Sequence, residues 1–184
     1  FLVYNSFKFF SSYPIFDFLG GKEWYPTSEP EKFGLLPLLT GSALVSFGAI
    51  IIAIPLGIGT AIYIGELAPK AVREIIKPII EILASIPSVV IGFIGMTLLA
   101  GIIKDVFQLN TGLTALTGSI MLAFMSLPTI ISISEDAINA VPNSYRFAST
   151  ALGATKWQTA HRTVVPAASS GILAATMLGF GRVI

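Results

Sequence analysis

Between Lys32 and Glu66 the chain runs for 33 residues without a formal charge. As helix, at ~1.5 Å per residue, that is about 50 Å. The stretch exceeds the ~30 Å hydrocarbon core of a bilayer, so the helix is expected to start near Leu38, after Pro37. Three more uncharged runs follow: 22 residues between Glu81 and Lys104, 29 between Asp105 and Glu135, and 19 between Arg162 and Arg182. Repeated runs of bilayer length predict an all-α fold, a polytopic transmembrane helix bundle. The predicted spans are 38–65, 82–103, 109–133 and 166–184. Residues 1–37 read as the end of a preceding span plus an outer loop, and 134–165 as a polar connection.

Composition agrees. The chain is 54% hydrophobic and 11% charged, whereas soluble domains carry about 25% charged residues. Mean hydropathy is +0.82, and a soluble reading would need a core larger than so short a chain encloses. The net charge of +1 rests on scattered basic residues, which excludes a nucleic-acid footprint. There is no cysteine, so disulfides and thiolate metal sites are excluded. The chain begins at Phe1 without a Met, and no basic segment precedes an apolar core there, so residues 1–10 are not a signal peptide. Residues 1–4 read as the last turn of a span, and the apolar segment continues to Ile184. The sequence is expected to be an internal piece lacking the first and last spans.

Basic residues set the orientation. Lys70, Arg73 and Lys77 lie in one connection, and Arg146, Lys156 and Arg162 in another, two spans later. The turn between them holds only Lys104. The two richer loops share a side, which the positive-inside bias makes cytoplasmic. Alternation puts the N-terminal loop outside, with Trp24 and Tyr25 as interfacial aromatics near the membrane surface.

The connection at 134–165 is the least hydrophobic long interior segment. Two short amphipathic helices fit it, split by Leu152-Gly153-Ala154, where glycine permits the backbone angles of a tight turn. So long a polar helical connection between spans calls for a partner to receive it. Pro55, Pro87 and Pro128 lie within the first three runs. Such breaks persist in a bilayer where neighbouring helices or a water-filled cavity satisfy the freed carbonyls. Each proline reads either as a bend or as plain packing.

Enzyme chemistry lacks its parts. His161 is the single histidine and has no second ligand at metal spacing. Gly21-Lys22 is followed by Glu23, so there is no P-loop, and no GxSxG elbow occurs. The absence of ionisable residues from the first three runs weighs against a proton-coupled carrier. No cofactor is expected.

Several motifs together resemble one family. Ile86-Pro87-Ser88-Val89-Val90-Ile91-Gly92-Phe93 is preceded by Lys77-Pro78 and Glu81-Ile82-Leu83-Ala84. Met125-Ser126-Leu127-Pro128 leads through Thr129 to Ser134-Glu135-Asp136-Ala137, then Val141-Pro142. With Trp24-Tyr25-Pro26 ahead of Phe33-Gly34-Leu35-Leu36-Pro37, these resemble phosphate ABC-transporter permeases, from about Trp24 to the end. They fit the PstC kind of subunit better than its partner PstA. The segment around Ala148, Gly153 and Pro166 is similar to the EAA loop of that superfamily. There the pattern's Glu is replaced by Phe147, with Ala148 and Ser149 in its small-residue positions.

The resemblance implies a permease of the type I ABC importer (MetI-like) kind in a prokaryotic cytoplasmic membrane. It implies half of a phosphate pore, with a PstA-like second permease subunit, ATP-binding subunits and an extracytoplasmic phosphate-binding protein as partners. ATP hydrolysis would belong to another chain. Ala148, Ser149, Leu152, Gly153 and Ala154 would carry the coupling, with Arg146, Lys156 and Arg162 engaging the ATPase subunit electrostatically. Gly181-Arg182-Val183-Ile184 aligns with the start of a Gly-Arg-Ala-Ile-Gly-Glu motif, whose glutamate would fall two residues beyond Ile184. Arg182 would meet phosphate on the substrate path, through a guanidinium fork suited to oxyanions, or pair with that glutamate. An importer for another oxyanion is the nearest alternative. A channel or intramembrane enzyme would share the hydrophobicity but leave 134–165 unexplained.

Overall fold

The computed structural model of the chain describes residues 13–184. The expectation that residues 1–4 end a preceding span lies outside the described residues. The described residues fall into two compact units, one ending at Leu44 and the other Val45–Ile184. In the first, helix α1 (Ile15–Gly20) is followed by a small antiparallel pair, β1 (Trp24–Tyr25) and β2 (Lys32–Phe33), with Trp24 opposite Phe33. Phe33 takes edge-on contacts from Tyr13 and Trp24, at centroid distances of 5.6 and 6.0 Å. Lys32 is paired with Glu23, and that hydrogen bond raises the pKa of the Lys32 ammonium above its ordinary value.

Helix α2 (Leu36–Leu67) begins in the first unit and carries the first predicted span. The others are α3 (Lys70–Ser85), α4 (Ser88–Phe107), α5 (Ala115–Asn139), α6 (Asn143–Ala151), α7 (Lys156–Ala167) and α8 (Ser169–Gly181). Among the described residues, α2, α4 and α5 are each long and apolar enough to cross a bilayer. The α7–α8 pair, bent by 74°, makes a fourth if it counts as one span.

Several boundaries differ from the sequence reading. The helix that carries the second predicted span starts at Ser88, against the 82 expected for the span, because residues 70–85 form a separate helix. Its charges Lys70, Arg73, Glu74, Lys77 and Glu81 recur three or four residues apart, as an amphipathic helix requires. Pro87 is therefore the N-cap of α4 and not a mid-helix bend. Proline is disfavoured in a helix interior, and it also pushes the preceding residue, Ile86, out of helical backbone. The helix that carries the third predicted span runs Ala115–Asn139, against the 109–133 expected for the span. Gln108 closes α4 in the left-handed region at φ 51°, and Thr114 caps α5 by accepting from the Thr117 amide. At its far end α5 absorbs Glu135 and Asp136, so the polar connection starts near 140. The helix that follows Pro166, α8, starts at Ser169. Pro166 stays inside α7, after a widened π-type turn over Ala160–Val164. A proline ring crowds the carbonyl four residues back, and the wider turn makes room for it.

Small residues set the packing. Gly48 of α2 meets Ser119 of α5, Gly57 meets Ile130 and Leu127, and Gly65 meets Ile138. Partners advance in step along both chains, so α2 and α5 run parallel. On α8, Gly171 faces Ala137 and Gly179 faces Ile130, so α8 runs antiparallel to α5. Ile130 is thus held between two glycines on opposite helices, which lets three backbones approach closely without a polar bond. Ser119 adds a hydrogen bond to the Val45 carbonyl at 3.0 Å. The outward residues Phe47, Val89, Leu98 and Met177 are exposed, as a lipid-facing surface requires.

Gly57 and Gly59 test this arrangement as a pair. A Cβ on Gly57 would lie 2.7 Å from Ile130 Cγ2, whereas one on Gly59 meets nothing within 4 Å. Gly57→Ala is expected to lose about 1–3 kcal/mol by overpacking. Gly59→Ala should be neutral or slightly stabilising. Melting temperatures in detergent check both.

Candidate functional site

The polar connection folds as a helical hairpin, α6 and α7, joined through residues 152–155. Gly153 sits at φ +83°. Its amide donates to Thr150 O at 3.0 Å and the Ala154 amide to Ser149 O at 3.2 Å. This is the glycine-dependent helix ending that satisfies two orphan carbonyls. Thr155 then opens α7 with a capping box, its hydroxyl accepting from the Gln158 amide while Gln158 accepts from the Thr155 amide. Across the hairpin, Ser149 Oγ lies 3.0 Å from Thr159 Oγ1, and Thr163 donates to Ser149 at 3.4 Å. Ser149 therefore holds α6 against α7. Ala148 is exposed and Ala154 half-buried. Leu152 is 90% exposed at the tip, with Phe147, Tyr145 and Trp157 also exposed. His161 lies beside the Trp157 ring at 6.0 Å.

The hairpin's arginine does not stay free for a partner, as the sequence reading expected. Arg146 donates from Nε and Nη2 to Glu66 Oε1, at 2.9 and 2.5 Å. Nη2 also reaches the Ile138 carbonyl at 2.9 Å, and Nη1 the Val141 carbonyl and Asn143 Oδ1 at 2.5 and 3.4 Å. All five guanidinium N–H groups are thereby used. Lys156 and Arg162 remain exposed. On the other side of Glu66, Arg73 donates to the Ile64 and Gly65 carbonyls at 2.9 and 2.6 Å. It satisfies the end of α2, where the π-type turn over Tyr63–Leu67 leaves helix carbonyls without partners.

A second charged group joins α3 to α5. Lys77 pairs at 2.9 Å with the buried Glu135, which also accepts from Asn139. Glu81, Ser132 and Asp136 complete a cavity of about 110 Å³ around the pair. Next to Glu135, Ser134 Oγ is buried with no hydrogen-bond partner among the described residues. These partners were not legible in the sequence. Glu66 and Arg146 stand 80 residues apart, and no periodic pattern links them.

Arg182 caps the end of α8. Nη1 donates to Thr129 Oγ1 at 2.8 Å and Nη2 to the Ala84 carbonyl at 3.3 Å. Both acceptors are neutral, and no described carboxylate pairs with it. Pro55 lies on an exposed face of α2 and Pro128 is buried in α5. Among the described residues no cluster of His, Asp or Glu is suited to a metal ion.

Apolar helices packed through glycines, with a polar helical hairpin between α5 and α8, are the architecture of a multi-spanning membrane protein. The profile of one family, described as binding-protein-dependent transport system inner membrane component, matches residues 53–184, and the chain belongs to that family. It is 45% identical over 166 residues to the probable ABC transporter permease protein YqgH of Bacillus subtilis, covering 90% of this chain and 54% of that one. It is 36% identical to the phosphate transport system permease protein PstC of Mesorhizobium japonicum, covering 91% and 56%. Against PstC of Pasteurella multocida it is 30% identical, covering 98% and 62%. The chain thus spans a little over half the length of these relatives. No solved structure matches it.

Proposed function

We propose that the chain is the PstC-type half of an ATP-driven phosphate importer. In this reading a second, PstA-like permease completes the pore and an extracytoplasmic binding protein delivers inorganic phosphate. The hairpin α6–α7 lies on the cytoplasmic side of a prokaryotic inner membrane and seats on a separate ATPase subunit. One observation carries the reading. A polar, internally bonded hairpin presents exposed Phe147, Leu152 and Trp157 on a chain whose similar proteins are named as phosphate permeases. A channel or intramembrane enzyme would have no use for such a surface. The family membership weighs the same way.

Exposed aromatic and aliphatic anchors on the hairpin suit a groove that excludes water. Phe147, where the family pattern has Glu, offers area in place of a carboxylate. The substrate path runs past Arg182, whose guanidinium faces only neutral acceptors and keeps its positive charge for an anion.

The test uses the full-length protein in proteoliposomes with its second permease, ATPase subunit and binding protein. Phosphate uptake should require ATP and the binding protein and should exceed sulfate uptake. Equal rates for sulfate would favour another oxyanion. A permease that purifies without any ATPase subunit and conducts passively would overturn the importer reading.

A further inference from the structure

We propose that Arg146 and Glu66 form the joint that carries motion of the hairpin into the spans. This rests on the reading of α6–α7 as the coupling element and says how its displacement reaches α2 and α5. Helix α6 has no buried residue, and its packing is chiefly against α7. Among the described residues, Arg146 is the only α6 side chain hydrogen-bonded to α2 or α5. Its contacts converge from three places: Glu66 at the end of α2, the Ile138 carbonyl in the last turn of α5 with the Val141 carbonyl just past it, and Asn143 on α6 itself.

The site is built for rigidity. The Glu66 side chain is 9% exposed and that of Arg146 20%, so water competes little for the pair. A planar guanidinium fixes direction as well as distance, which a flexible ammonium does not. Beside the pair, Gly65 packs so closely on Ile138 that a Cβ would lie 2.9 Å from its Cγ2. The parallel helices α2 and α5 are therefore in contact where Arg146 grips both. Arg73 holds the adjacent Ile64 and Gly65 carbonyls, so the grip extends to the start of α3. A push on α6 then displaces the inner ends of two spans together rather than sliding past them.

Arg146 is on this account a positioning residue that touches no substrate. A buried pair of this kind contributes little net stability as a whole, but removing one partner leaves the other charge buried and destabilises the fold. Its role in coupling is therefore read from a ratio of two rates in the assembled complex, and not from stability.

The experiment measures phosphate transported per ATP hydrolysed by the complete transporter in proteoliposomes, with the binding protein in excess. The ratio does not depend on how much complex assembles. In Arg146→Met it should fall about tenfold, the scale of side-chain coupling energies, while ATP hydrolysis continues. Arg146→Lys, which keeps the charge but loses the fork, should fall between Met and wild type. Where Arg146→Met fails to assemble, Glu66→Gln is read by the same ratio and should also lower it. An unchanged ratio in the assembled variants, whether both rates drop in proportion or neither drops, would overturn the joint. Failure of the coupling reading itself would look different: the wild-type complex would show no ATP-dependent uptake, or Gly153→Val would leave uptake intact.

Discussion

Gly153→Val is expected to lower phosphate uptake by about tenfold or more while the permease still inserts in the membrane. At φ +83° a residue with a Cβ meets its own backbone, at a cost of about 1–2 kcal/mol and more for a β-branched side chain. A Cβ at this position would touch nothing within 4 Å, so the whole penalty comes from backbone conformation. The turn would relax by moving Leu152 and the two amide bonds to Ser149 and Thr150. A shift of about 1.4 kcal/mol weakens docking of the ATPase subunit tenfold. Asn, which visits the left-handed region more readily, should be tolerated better than Ala, and Ala better than Val. Uptake assays with pull-down of the ATPase subunit check the order. Normal uptake by Gly153→Val would remove the turn from the mechanism.

Arg182→Gln carries the other large effect. A cation in an apolar span costs ~2.5–3.5 kcal/mol on insertion scales, so it is retained for a partner or for function. Its neighbours Thr129 and Ala84 offer only neutral oxygens. An anion meeting that guanidinium gains charge-assisted hydrogen bonds of about 1.5–3 kcal/mol, and losing them predicts a fall in uptake of roughly 10- to 100-fold. Arg182→Lys should retain partial uptake, since it keeps the charge without the fork. A structural ion pair with a glutamate past Ile184 behaves otherwise. Exchanging the two charges would then preserve transport, whereas an anion path would stay closed. Full uptake by Arg182→Gln would rule out both roles.

The legible and illegible parts of this chain divide on physical grounds. Spans were readable because a bilayer excludes charge over a fixed length, so α2, α4 and α5 announce themselves as gaps between ionisable residues. The same rule misread α3. In the sequence Lys77 reads as a charge in a connection, yet it finds Glu135 on α5 and the segment forms a helix against it. Proline signalled a break at 87 but not its kind. The hairpin was readable because helix ends are local, with glycine at the turn. The inner ends of α2 and α5 were not. Glu66 looked like the edge of a span and Arg146 like one more cytoplasmic cation. Only folding brings residues 80 positions apart to 2.5 Å.

The parallel pairing of α2 with α5 also sets a timetable for biogenesis. Parallel helices cannot be joined by a short turn, so Ser119 reaches back to Val45, 74 positions earlier in the chain. At about 5–20 residues per second, the ribosome needs roughly 4–15 s to make that stretch. During the wait, the glycine notches of α2 at Gly48, Gly57 and Gly65 have no mate on α5. They are grooves that acyl chains or another small-residue helix can occupy. Late arrival of α5 then becomes a displacement reaction, in which Ile130 evicts whatever has settled at Gly57 before α8 closes over it from the far side.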